Sequence, residues 1–189
     1  MKNLLLLYGD ADKTGINTAL WEAYKKGAQE SGAAIRELHI MDLKFNPNKQ
    51  FSNRVAELEI DLQLALEQLH KANHIVLFCT VNSDSIAARL SGFFDRLFLP
   101  NQVFPVGSAS FNNNFSGKSA RIVSVLDEAS WEEWVETKVP TYHSIKRSVL
   151  EQCRIKPVHT CTIGYLHTLK NGYAQKWLRK MEGFGKKIL

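Results

Sequence analysis

Residues 73–100 read NHIVLFCTVNSDSIAARLSGFFDRLFLP, and the assignment of this stretch decides the fold. It opens with the unbroken apolar run His74-Ile75-Val76-Leu77-Phe78-Cys79. Its length, β-branched content and lack of alternation predict a strand buried on both faces. A polar loop follows from Thr80 to Ser85. Ile86, Leu90, Phe93, Phe94 and Leu97 then recur at helical spacing until Pro100, where the helix is expected to stop. Open α/β sheets take their ligands at the carboxyl ends of their strands, so this loop carries much of the functional question.

Working outward, the same alternation recurs along the chain. Leu4 to Tyr8 reads as a first buried strand, ending in Gly9-Asp10-Ala11-Asp12-Lys13-Thr14-Gly15. A helix follows with Ile16, Leu20, Ala23, Tyr24, Gly27 and Ala28 on one side and Gly32 beyond its end. Ala34 to Ile40 alternates and predicts the second strand. Phe45 to Val55, with the turn Asn46-Pro47-Asn48, reads as an irregular excursion. Leu58, Leu62, Ala65, Leu66 and Leu69 mark the second helix. Beyond the central unit, Asn101 to Ser116 is rich in Asn, Gly and Ser and predicts a long loop. Ala120 to Leu126 is the fourth strand, and Asp127 to Thr141 holds Trp131 and Trp134 among acids. His143 to Cys153 predicts a helix with Ile145, Val149 and Leu150 inward. Val158 to Ile163 is the fifth strand and Gly172 to Lys187 the last helix.

Five strands alternating with helices specify an α/β layered fold with right-handed crossovers and the strand order 2-1-3-4-5. No repeat or linker divides residues 1–189, so a single domain is expected. Hydrophobic content of 44% and charged content of 23% are those of an ordinary globular chain. The run from Asn3 to Tyr8 is too short for a signal or membrane segment, which makes a cytoplasmic location the expectation. Cys79, Cys153 and Cys161 have no metal-ligand spacing and read as buried thiols in a reducing compartment. The net charge of +5 is dispersed, without a nucleic-acid-binding motif or basic stripe, so it suits attraction of small anionic substrates.

In the 2-1-3-4-5 order the ligand crevice lies between the ends of strands one and three. A dinucleotide site would want Gly-x-Gly-x-x-Gly after the first strand, and Gly9 to Gly15 does not supply it. A phosphoacceptor domain would need a further aspartate ending the third strand, where Cys79-Thr80 stands. A flavin mononucleotide (FMN) site would hold its phosphate at the first loop and its ring between loops three and four.

Several motifs resemble those of the flavodoxin-fold NAD(P)H:quinone oxidoreductases, a family that includes modulators of drug activity and ancillary subunits of potassium efflux systems. The most specific is Leu90-Ser91-Gly92-Phe93-Phe94-Asp95-Arg96-Leu97-Phe98, close to the family's Leu-Lys-Gly-Phe-Phe-Asp-Arg-Val-Phe. Others are Thr14-Gly15-Ile16-Asn17, Gly117-Lys118-Ser119-Ala120 and Ile155-Lys156-Pro157-Val158. The resemblance implies a flavodoxin-like three-layer sandwich and an FMN-dependent homodimer. Such an enzyme moves a hydride from NAD(P)H to FMN and then two electrons to a quinone or a similar small acceptor. It implies that Thr14, Gly15, Ile16 and Asn17 cradle the phosphate, a helix N-terminus being a natural anion site. It also implies that Thr80, Val81, Asn82 and Ser83, with Asp127 and Trp131, border the ring, and that Tyr142 and His143 assist charge on the reduced flavin or quinone.

The ring loops depart from that pattern. The family's Phe-Pro-x-Trp-Trp reads Cys79-Thr80-Val81-Asn82-Ser83 here, and each missing tryptophan could have buried roughly 150–250 Å². Asp127 and Trp131 match a bacterial subgroup with Asp-Thr-Pro-Pro-Trp. Asp10 stands where the family has histidine, and Leu66 where relatives often carry glutamine. An unscreened carboxylate ~4 Å from a phosphate charge would cost about 4 kcal/mol at an effective dielectric near 20. Asp10 and Asp12 read equally well as caps of the first helix or as an altered ligand site. Two functions therefore stand: an FMN-dependent NAD(P)H:quinone oxidoreductase, or a flavin-free dimeric binding or regulatory module. In either case the helix carrying Phe93, Phe94, Leu97 and Phe98, with the loop that follows it, is expected near a homodimer contact.

Overall fold

Burial on both faces is what makes the two central apolar runs strands. The computed structural model describes residues 2–48, 58–81, 87–103, 115–137, 145–164 and 172–188. In β3 (His74–Val81), Ile75, Leu77 and Cys79 enter one hydrophobic layer while Val76 and Phe78 enter the other. β1 (Asn3–Tyr8) alternates in the same way, with Leu5 and Leu7 on one side and Leu4, Leu6 and Tyr8 on the other. With β2 (Ala34–His39), β4 (Ser119–Leu126) and β5 (Val158–Ile163) they form a parallel sheet in the order β2-β1-β3-β4-β5. The α/β layering and strand order are those that the alternation of elements predicts, and the fold is the flavodoxin-like sandwich that the resemblance implies.

One face of the sheet is covered by α1 (Ile16–Glu30) and α5 (Gly172–Lys187). These helices touch backbone to backbone. A Cβ on Gly27 would lie 2.0 Å from the Glu182 carbonyl oxygen, and one on Gly185 would lie 2.1 Å from that of Tyr24. Only glycine permits this approach. The other face carries α2 (Ile60–Lys71), α3 (Ala88–Val103) and a π-helical stretch at Ile145–Leu150.

The most specific sequence motif turns out to serve packing. Phe93, Phe94, Leu97 and Phe98 are buried within the chain itself. These aromatics are core, because the wide central sheet needs that area for its own cover. Gly92 admits Pro47, which a Cβ there would meet at 2.4 Å. The buried Arg96 guanidinium donates to the Asn46 carbonyl at 2.7 Å and to both Glu59 oxygens, at 3.1 and 2.6 Å. Asn46-Pro47 and the start of α2 are thereby clamped to α3.

Two expectations differ from the structure. α3 runs through Pro100 to Val103. A proline withdraws a single rung, the one to the Arg96 carbonyl, and one lost rung close to a helix end does not unwind it. The helix expected from His143 is, over the described residues, a π-helical turn. Ile145, Leu150 and Ile155 are buried at intervals of five, and Ile155 N–H bonds the Leu150 carbonyl at 3.0 Å. The acidic tryptophan segment forms α4 (Glu128–Thr137), which Asp127 caps by accepting from the Ser130 amide at 2.9 Å. Cys79, Cys153 and Cys161 are buried, as the sequence implied, and form no disulfide among the described residues; burial pushes the Cys79 and Cys161 thiols up. Among the described residues no helix is long and apolar enough to cross a membrane. Most of the excursion at 45–55, Ile86 and the loop at 104–114 lie outside the described residues.

Candidate functional site

The crevice forms where β1 and β3 end side by side. Gly9 N–H closes the sheet on the Phe78 carbonyl at 2.8 Å, and the next residue, Asp10, turns its carboxylate toward β3. There Oδ1 accepts from the Thr80 amide at 2.8 Å and Oδ2 accepts from the Thr80 hydroxyl at 2.8 Å. The Asn17 side-chain amide, in the first turn of α1, donates to Oδ2 as well. One carboxylate therefore ties the ends of two strands to the start of a helix.

Asp12 does different work. Its Oδ1 accepts from the amide of Thr14 at 2.8 Å and from the Thr14 hydroxyl at 2.7 Å, a local turn of the kind aspartate favours. Those bonds hold its carboxyl below the usual range, so it is ionised at neutral pH. The Asp12 carbonyl and the Thr18 hydroxyl both meet the Tyr8 hydroxyl at 2.7 Å. Neither aspartate caps α1. The cap position is Gly15, in extended backbone, with no side-chain bond to the helix. The amides of the first turn therefore keep their unspent donors. Lys13 reaches out of the loop to Asp42 at 2.6 Å, across exposed surface.

Between these elements lies a cavity of about 560 Å³. Its polar wall is Asp10, Asp12, Asn17, Thr80 and the Tyr8 ring edge, with Gly15 and Ile16 at the helix start. Met41, Ala87 and Val125 make the apolar wall. A space of that size with an apolar side and a few convergent polar groups suits a small organic ligand. Asn17 is 6% exposed and its Oδ1 has no hydrogen-bond partner.

The cavity brings together most of the residues expected at the first loop, namely Gly15, Ile16 and Asn17, and adds Thr80. Thr14 is spent on Asp12. Val81, Asp127 and Trp131 are not part of the described wall. Asp127 caps α4, and Trp131 packs on Gly164, where a Cβ would meet its ring at 2.9 Å, and stacks on Trp134 at 5.0 Å between centroids. Leu66 packs against the core below α2. Asn82, Ser83, Tyr142 and His143 lie outside the described residues. Tyr8, Met41 and Val125 escaped the sequence reading. Tyr8 and Val125 were legible as strand-end residues, whereas Met41 reaches the wall only through a 3₁₀ turn at Ile40–Asp42.

The family model Flavodoxin_2, described as a flavodoxin-like fold, matches residues 2–182. No curated protein matches the chain. Among solved structures, Smu.1420 from Streptococcus mutans UA159 superposes with a TM-score of 0.80 at 18% identity, over 98% of this chain and 99% of that one. An NAD(P)H:quinone oxidoreductase from Methanothermobacter marburgensis gives 0.74 at 17%, over 98% and 95%. An FMN-dependent NADH-azoreductase from Bacillus anthracis str. Ames Ancestor, in complex with FMN, gives 0.69 at 13%, over 100% and 99%. At such identities the likeness is one of fold.

Proposed function

Because this chain belongs to the Flavodoxin_2 family, we propose that it is a flavin-dependent NAD(P)H oxidoreductase that reduces quinones or similar small acceptors by two electrons. FMN is the flavin for which the Bacillus anthracis relative is named, and it is the reference cofactor of this reading. The observation that carries it is the cavity of about 560 Å³ at the carboxyl ends of β1, β3 and β4, opening on the uncapped start of α1. Met41, Ala87 and Val125 offer apolar surface to a flat ring, and the amides of Ile16 and Asn17 offer donors to its tail.

The fit is good at the apolar end and poor at the other. Thr80 and the Asn17 side chain donate to Asp10, so a phosphate would have only the backbone amides of the first turn and would face that carboxylate. A bound flavin supplies two-electron redox chemistry, and the protein contributes position and electrostatics. This chain's residues would seat the ring, exclude water from it and keep a negative charge at the tail end. The homodimer is proposed with this function, its contact formed by surfaces other than the core aromatics of α3.

A second reading has its own support. The Asp10 brace satisfies loop one internally, which favours a flavin-free binding or regulatory module. The visible absorbance of protein purified without added flavin, followed by NAD(P)H oxidation with a quinone after reconstitution, separates the two. Flavin absorbance or flavin-dependent turnover is expected. Protein that is colourless, binds no flavin on reconstitution and oxidises no NAD(P)H would refute the oxidoreductase.

A further inference from the structure

Resting on the flavin reading above, we propose that the loop-one end of the cavity is built for an uncharged, hydroxyl-bearing tail. The chain then binds the unphosphorylated flavin, riboflavin, in preference to FMN, and Asp10 imposes the choice.

At this end the side-chain donors are spent within the protein. The Thr80 amide and hydroxyl and the Asn17 amide go to Asp10, and the Thr14 amide and hydroxyl go to Asp12. What remains on the side chains is acceptors. Asp12 Oδ2 lies beside Gly15, 3.1 Å from where a Cβ would stand. Asn17 lines the cavity but keeps its carbonyl oxygen buried away from it. The orientation of that amide is forced. Turned over, it would set its oxygen against the Asp10 carboxylate, so the NH₂ must face Asp10 and the orphaned oxygen must face away.

Charge points the same way. Two carboxylates line this end, and among the described residues of the wall there is no Lys, Arg or His. Lys13 is held by Asp42 outside it. The positive end of α1 already faces Asp12 and, through Asn17, Asp10, so its pull on an outside anion is offset. A phosphate dianion would meet repulsion from both carboxylates and find only the backbone amides of Ile16 and Asn17 as donors. A ribityl chain ending in a hydroxyl donates to the acceptors present.

The test is titration of the flavin-stripped full chain with riboflavin and with FMN near neutral pH, read by flavin fluorescence. In the native chain riboflavin is expected to bind about tenfold more tightly or better. Asp10→Asn should raise FMN affinity about tenfold and change riboflavin affinity by less than roughly threefold. The substitution keeps an acceptor for the Thr80 amide and lets the Asn17 amide turn over, so the brace survives. A native chain that prefers FMN overturns the inference and leaves the flavin reading intact. An unchanged riboflavin-to-FMN ratio in folded Asp10→Asn overturns the role of Asp10. Binding of neither flavin by the native chain sinks the flavin reading itself and the inference with it.

Discussion

Arg96 on α3 and Glu59 at the start of α2 form a two-toothed ion pair, with nitrogen–oxygen distances of 3.1 and 2.6 Å and the guanidinium fully buried. The planar fork suits a carboxylate, and the Asn46 carbonyl takes a further proton of the same group. The pair holds the Glu59 carboxyl down to about 2. Its stabilisation is thus complete above the ordinary carboxyl value of 4.5 and lost as pH falls toward 2.

Glu59→Gln is accordingly expected to lower stability at neutral pH by on the order of 2–3 kcal/mol and to flatten the loss between pH 4.5 and 2. Arg96→Ala should cost about 3–5 kcal/mol, since it also opens a cavity in the core. Guanidinium midpoints measured across that pH range check both. A Glu59→Gln chain with native stability and the native acid slope would remove the pair from the account.

His74 sets a second acid window. It is 2% exposed, its Nδ1 meets the Ser119 hydroxyl at 2.7 Å, and burial holds its pKa down to about 4, with Arg121 and His159 adding to the effect. The unfolded chain takes up a proton below pH 6.5 while the folded chain refuses it until about 4. Stability should therefore fall by on the order of 2–3 kcal/mol as pH drops through that interval, then level off. In His74→Gln this step should vanish. A step that persists would assign it to another group.

The crossing of α1 and α5 separates two glycines on one helix. Gly185→Ala drives a methyl group into the Tyr24 carbonyl and should cost roughly 1–3 kcal/mol or more. Gly183 has open space around its Cβ position, so Gly183→Ala should gain about 0.5–1 kcal/mol from helix propensity alone. Thermal melts of the two variants should move in opposite directions. A common direction would contradict the close crossing.

Trp131 is spent on Gly164 and Trp134. Trp131→Phe should lower stability by about 1–2 kcal/mol and leave flavin affinity within roughly twofold. A larger loss of affinity at unchanged stability would return Trp131 to the ring site.

The amino-acid sequence by itself determined the five strands, their order and the two-sided core, because period and burial are local properties. Every strand that the apolar runs predict is present, and the last helix begins and ends where expected. The same holds for the first loop, where Gly15, Ile16 and Asn17 adjoin the cavity. What only the tertiary structure decided is which partner each polar residue meets. Asp10 and Asp12 look alike in sequence, as two acids before a helix. One joins a residue seventy positions away and the other turns back on its own loop. The Gly92-to-Phe98 motif reads as an aromatic helix face, and its purpose appears only when Pro47 and Glu59 arrive against it. Spacing along a chain orders residues on one element. Which donor satisfies which acceptor depends on distances between elements, and those are set by the packing of the whole.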